Sequence, residues 1–325
     1  MSTIREVAAH AGVGIATVSR VLNDVPTVKP ETRQKVLDAV VALDYVPNEL
    51  ARGVFRKRSG IVAMLIPNIR HVFFGNLAQY VEEALYQHGY KLMLCSTGGN
   101  RAVEEEYMQL FRTNLVDGVI LGTANLAAST YASLNKPAVA TDRLISDQIP
   151  VVVSNNTQGG ELAAQVLVER GFKEVAQLVD SGVVPCLSHE RHVSFERVIR
   201  QAGITLHNLS LDWNHFEFDT YQTFASETLA NYPAIDAIMA PDMIAGAFLK
   251  AALAAGKQVP EQFGVVAYDG TYLAKSSALE MTAVVQPIQA MGERIVSILM
   301  QLIEHKPVEA YFMELPVVLE VGKST

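Results

Sequence analysis

Cysteine is nearly absent. Cys95 and Cys186 are the two in 325 residues, they lie far apart, and neither belongs to a CxxC or Cys/His cluster. That argues against a disulfide framework and against a structural zinc site, and leaves both as small buried hydrophobes. Long apolar runs are missing too. None approaches the ~18 residues of a membrane span, and Glu6 and His10 interrupt the N-terminal stretch where a secretory signal needs an unbroken apolar region. The expected location is the cytoplasm, with no membrane partner. No P-loop, dinucleotide fingerprint, metal-ligand cluster or activated nucleophile is found, so no enzyme activity, cofactor or metal is expected. Ser188-His189-Glu190 has hydrolase residue types, but as consecutive neighbours on no strand-turn-helix elbow.

What is present is a chain of ordinary globular composition, 50% apolar and 18% charged, long enough for two or three domains. Its net charge of −8 is unevenly spread. Residues 1–60 hold nine Lys/Arg against six Asp/Glu, a balance of +3, and the remainder holds 17 against 28, a balance of −11. A small basic head on an acidic body suggests a polyanion partner for the head.

The stretch AGVGIATVSRVLN, residues 11–23, could open a nucleotide-binding glycine loop or form a helix that reads DNA. A dinucleotide fingerprint needs a third glycine where Thr17 stands, and a strand before it. The preceding segment instead places Ile4, Val7, Ala8 and Ala11 on one helical stripe. Gly12 can end that helix in a left-handed conformation. A second helix then runs from about Ile15 to Leu22, with Val18, Val21 and Leu22 inward and Ile15, Ala16, Thr17 and Arg20 near the outer face. Two short helices around a glycine turn make a helix-turn-helix, whose second helix enters the major groove. A third helix follows, with Pro30 and Glu31 in its first turn and Val36, Leu37, Val40 and Leu43 as its stripe. On pattern alone the lesser alternative is a plain three-helix domain with no DNA role.

The strings TIREVAAHAGVGIATVSRVLN, VKPETRQKVLDAV and LDYVPNELAR resemble the headpiece of the lactose-repressor family of bacterial transcription regulators. The resemblance implies that Ile15, Ala16 and Arg20 read bases and that Thr3, Thr17, Ser19, Asn23, Tyr45 and Asn48 contact phosphates. Arg20 suits guanine O6 and N7, whereas Ile15 and Ala16 offer apolar contact, for example to a thymine methyl. Gly14 stands where the family usually has a serine cap. From Asn48 to Ser59 the chain is strongly basic through Arg52, Arg56, Lys57 and Arg58. A solvated linker fits this in the free protein. The resemblance implies a hinge helix on DNA with Val54 as the apolar wedge, shorter than the family's leucine.

Beyond residue 60, β-branched runs such as Ile61–Ile66, Val151–Val153 and Val265–Tyr268 alternate with helical stripes such as Leu77–His88 and Leu162–Glu169. The fold class expected is α/β: an N-terminal all-α helix-turn-helix headpiece plus a two-lobed body with parallel sheets. Ligands in such sheets bind at the carboxyl ends of strands, and His71, Phe73, Phe74, Asp142, Arg143, Asp269 and Gln286 follow strand-like runs there. Arg191 opens a helix and Phe216 follows Trp213. Carboxylates and guanidinium groups pair with vicinal hydroxyls and aromatic rings cover a sugar face. Singly, the phenylalanines also fit a core, and Asp142-Arg143 a surface pair.

By resemblance, residues 60–325 are similar to the effector-binding body of the same family, itself similar to periplasmic sugar-binding proteins, with ribose-type regulators closest in pattern. His71, Phe73, Phe74, Asp142, Arg143, Arg191, Phe216, Asp269 and Gln286 would then line the effector pocket. The chain departs from that pattern at His71, at Pro241 where Asn precedes Asp242, at Ser194 for Gly, and at Gly270. The expected domains are a headpiece (1–47), a hinge (48–59) and the effector-binding and dimerisation body (60–325). Lobe 1 covers about 60–153 and 284–308, and lobe 2 about 154–283 and 309–325. The implied function is a homodimeric repressor of a carbohydrate operon, bound to double-stranded operator DNA and released by a small sugar, ribose or a relative such as sucrose. A catabolite-control type with a corepressor, either a small molecule or a phosphorylated carrier protein, stays open. A transport-type sugar-binding protein accounts for the body alone.

Overall fold

The computed structural model describes residues 2–23, 25–45, 58–113, 115–123, 125–179, 186–211 and 217–325. Contacts divide the chain into two units, residues 1–60 with 114–117 and the remainder. In the first unit, α1 (Ile4–Ala11) starts at a capping box: Glu6 Oε2 accepts from the Thr3 amide at 2.7 Å, and Thr3 Oγ1 accepts from the Glu6 amide at 3.4 Å. It ends at Gly12, left-handed with φ 63°. Helix α2 (Ile15–Leu22) begins at Gly14 without a side-chain cap, and α3 (Pro30–Ala42) begins with proline at its first turn. Val7, Ala8, Val18, Val21, Val36 and Ala39 are buried together. The expected stripe of α3 needs one correction: Leu37 is exposed, and Ala39 takes the inward place. Positions 36, 39, 40 and 43 share a face at 3.6 residues per turn, and 37 lies at its edge.

The second unit holds two six-stranded sheets. The first contains β1 (Ile61–Ile66), β2 (Lys91–Ser96), β3 (Gly118–Leu121), β4 (Ala138–Thr141), β5 (Val151–Ser154) and Phe312–Leu315, here β11. Its order is β11-β5-β4-β3-β1-β2, all parallel. The second contains β6 (Glu174–Val179), β7 (Thr205–Ser210), β8 (Ala237–Pro241), β9 (Gly264–Asp269), β10 (Thr282–Val285) and β12 (Val318–Glu320). Its order is β12-β10-β9-β8-β6-β7, parallel except where β12 runs against β10. Strands buried on both faces read as continuous apolar runs because helices cover them; β1 and β9 are of this kind. In both sheets the order reverses beside the first strand, which makes the crevice at the strands' carboxyl ends the natural ligand position.

The chain passes between the lobes after Ser154, near Gln286 and near Pro316. These crossings correct the expected lobe limits. Thr282–Val285 pairs with β9 and so lies wholly in the second lobe, and Phe312–Leu315 pairs with Val151–Ser154 in the first. Towards the end of the chain, Phe312–Leu315 and Val318–Glu320 form two short strands interrupted at Pro316, which cannot donate to a ladder. In the first lobe the helices Val72–Gln87 (α4) and Ile288–Ile303 pack together on the sheet. In the second, Asn156–Arg170 packs closely on Glu190–Gln201. A Cβ on Gly160 there would meet Arg191 O and Ser194 Oγ at 2.1 Å, so this glycine makes room for the serine.

Candidate functional site

On α2, Ile15, Ala16, Ser19 and Arg20 share one face. Ile15, Ala16 and Arg20 are exposed, while Thr17 and Ser19 are half-buried. An isoleucine 46% exposed on a two-turn helix has no use in the core of its own unit. Asn23 turns back to its helix, its Nδ2 donating to Ser19 O at 2.8 Å, so the pair presents a fixed polar edge. Thr3 is exposed although its hydroxyl serves the capping box, and Tyr45 packs against the headpiece core. Asn48, Arg52 and Val54 lie outside the described residues.

In the second unit a cavity of about 400 Å³ opens where the carboxyl ends of both sheets meet. His71, Phe73, Phe74, Asp142, Arg143, Arg191, Asp269 and Gln286 all line it; Phe216 lies outside the described residues. Phe73 and Phe74 stand edge to face at 5.2 Å, and His71 meets Phe74 edge-on at 5.3 Å, so the first turn of α4 presents an aromatic wall.

A polar chain runs around this cavity. Asp142 accepts from the amide and hydroxyl of Ser188 at 2.7 and 2.8 Å. Ser188 O accepts from Arg191 Nε at 2.9 Å. The Arg191 guanidinium lies 4.4 Å from the centre of the Tyr268 ring and 3.8 Å from Asp269 Oδ1. Asp269 also accepts from Gln286 Nε2 at 2.7 Å, and Gln286 Oε1 accepts from Ser154 Oγ. Asp242 receives Thr271 N at 2.6 Å, Thr271 Oγ1 at 2.7 Å and Gly270 N at 3.1 Å. Gly270 is required there: its φ is 65°, and a Cβ would meet Val285 Cα at 2.6 Å.

Burial shapes the charges. It pushes the carboxyls of Asp269 and Asp242 above the ordinary range. Repulsion from Asp242 adds to the shift at Asp269, while Arg191 and Gln286 oppose it; hydrogen bonds from Thr271 and Gly270 oppose it at Asp242. Burial, with the Arg191 cation second, holds His71 down at about 4, so the imidazole is neutral near pH 7. Arg143 Nη1 and Thr141 Oγ1, both at the end of β4, are buried without a hydrogen-bond partner among the described residues. Such groups call for a polar occupant.

Sequence reasoning missed Thr141, Ser154, Ser188, Asp242 and Tyr268. Tyr268 immediately precedes an expected site residue, and Ser188 stands one helical turn before Arg191, so proximity was the available signal. Pro241 lines the cavity, at the start of the helix Asp242–Ala254, with no side-chain group to offer a ligand hydroxyl.

Comparison with known proteins agrees with this two-part arrangement. Residues 3–48 match the family described as bacterial regulatory proteins, lacI family, and residues 164–325 match the periplasmic binding protein-like domain. The chain is similar to the ribose operon repressor of Halalkalibacterium halodurans, 37% identical over 100% of this chain and 97% of that one. It is also similar to the ribose operon repressor of Bacillus subtilis, 32% identical over 100% and 98%. Among solved structures, a transcriptional regulator CelR–cellobiose complex is 28% identical with a TM-score of 0.73, covering 100% of both chains. With that identity over its whole length, the chain belongs to the lacI family of bacterial regulatory proteins.

Proposed function

We propose that this protein is a repressor of a carbohydrate-utilisation operon, a non-enzymatic cytoplasmic homodimer that a small sugar releases from double-stranded operator DNA. The observation that carries the reading is the cavity at the carboxyl ends of both sheets, where an aromatic wall, the guanidinium groups of Arg143 and Arg191 and buried donors without a partner among the described residues converge beside the crossings between lobes. Aromatic faces and bidentate polar groups suit a polyhydroxylated ring. The exposed Ile15, Ala16 and Arg20 on a helix-turn-helix supply the DNA-reading face, with phosphate contacts from Thr3, Thr17, Ser19 and the basic hinge. Relatives named ribose operon repressors favour ribose among sugars. Release then follows from a difference in sugar affinity between two arrangements of the lobes.

The test is calorimetry of the purified chain with ribose, sucrose and fructose. It is repeated in the presence of a duplex selected by the chain from a pool of randomised pseudo-palindromes. Saturable ribose binding that the duplex weakens is the expected result. A protein that enriches no duplex, or binds no sugar, overturns the corresponding half of the reading.

A further inference from the structure

Asp142 ends β4 in the first lobe with a left-handed backbone, φ 64°, a conformation that aspartate tolerates better than most residues. From there it holds a turn of the second lobe. Its carbonyl accepts from Leu187 N at 2.7 Å, Oδ1 from Ser188 N at 2.7 Å and Oδ2 from Ser188 Oγ at 2.8 Å. Residues 187–189 pack on Asn156–Arg170 and Glu190–Gln201, helices of the second lobe, so all three bonds cross the cleft. Both carboxylate oxygens are engaged at good hydrogen-bond distances. Ser188 passes the constraint on, because its carbonyl accepts from Arg191 Nε at 2.9 Å. A second crossing contact, the ion pair of Arg70 with Glu217, has side chains more than half exposed and contributes little.

We infer that Asp142 is a positioning residue. It latches the two lobes through the turn at Leu187–Ser188 and thereby presents Arg191 to the ligand, in place of gripping ligand hydroxyls itself. Hydroxyl recognition at the end of β4 then falls to Arg143 and Thr141, whose buried Nη1 and Oγ1 have no partner among the described residues. The latch rests on geometry alone; its effect on ligand rests on the reading of the cleft as a sugar site. The two can fail separately.

The experiment uses the full chain as Asp142→Asn, Ser188→Ala and the double variant, each checked by thermal melting. Asparagine accepts the left-handed backbone but cannot satisfy both Ser188 donors. The first readout is amide exchange in a peptide spanning Leu187 and Ser188. The latch predicts faster exchange by about tenfold in Asp142→Asn, as for loss of a local closed state. Unchanged exchange there overturns it. Should Asp142→Asn fail to fold, Ser188→Ala, which deletes one hydroxyl, must show the faster exchange at Leu187 or the latch is overturned.

The second readout is calorimetric affinity for ribose and sucrose. The positioning role predicts that either single variant weakens binding by a similar factor and that the double variant is no worse than either. Additive losses, or a Ser188→Ala affinity equal to wild type beside a large loss in Asp142→Asn, overturn it and make Asp142 a ligand contact. If neither sugar binds the wild-type protein, the sugar reading fails and the exchange result alone decides the latch.

Discussion

Gln286 donates a hydrogen bond to Asp269 at 2.7 Å, and the same amide accepts from Ser154 with its oxygen. One side chain at a crossing between lobes thus joins the end of β5 to the end of β9. Truncation to alanine leaves a buried hydroxyl without its acceptor and a buried carboxyl without its donor. Gln286→Ala is expected to cost ~1 to 3 kcal/mol of stability, read by urea denaturation, and to weaken sugar binding at the same time. A variant as stable as wild type would mean that the network contributes nothing net.

Buried titratable groups near the cavity pull stability in opposite directions with pH. Asp242 and Asp269 have carboxyls raised in the folded state, so their contribution is present below the ordinary carboxylate value of 3.8 and is lost as pH rises through their higher folded values. His71 is lowered from 6.5 to about 4. Its contribution is complete above pH 6.5 and is lost as pH falls towards 4. His71→Gln removes the second effect alone. The variant should gain stability on wild type by ~2 kcal/mol at pH 5 compared with pH 7.5, measured by denaturant titration at each pH. A pH-independent difference would place the imidazole in a more solvated setting.

The reading face of α2 yields two expectations. Arg20→Ala should cost ~1 to 3 kcal/mol of affinity for the selected duplex and relax preference at one base pair per half-site, by fluorescence anisotropy. An equal loss on unrelated duplexes would reassign Arg20 to phosphate binding.

Gly14→Ser addresses the uncapped start of the same helix. Gly14 sits at φ −73°, ψ 152°, open to any residue, and a Cβ there meets nothing within 4 Å among the described residues. A serine cap is worth a few tenths of a kcal/mol over glycine, so amide exchange at Ala16 and Thr17 should slow by about twofold.

Much of the fold was legible because local rules and tertiary packing agree in this chain. The capping residue Thr3, the left-handed Gly12 and the stripe of α1 all point one way, and strands buried on both faces announce themselves as apolar runs. Strand β7 escaped notice because TLHNLS is an edge strand with exposed and half-exposed positions, where burial imposes little pattern. The lobe limits at Thr282–Val285 and Phe312–Leu315 were misplaced for a different reason: an apolar run does not say which sheet it joins. Site residues that follow strands were accessible through the rule for carboxyl ends. Ser188 and Ser154 were not, since a serine earns its role only from what the fold places opposite it.

Pro241 is the sharpest departure from the ribose-type pattern. It closes β8 with φ −53° and ψ 148° at the N-cap of the helix Asp242–Ala254, a backbone that asparagine adopts readily. Proline brings no donor to a ligand hydroxyl, whereas an asparagine amide can donate and accept at once. If the cavity otherwise suits ribose, Pro241→Asn should tighten ribose binding by about tenfold, the worth of one well-made neutral hydrogen-bond pair. Calorimetry with ribose and sucrose separates the cases. A gain for ribose alone identifies position 241 as a selector among sugars. A loss for both would mean that the proline shapes the cavity for a ligand whose apolar edge lies against it, and that the ribose assignment, not the sugar-binding fold, is what must be revised.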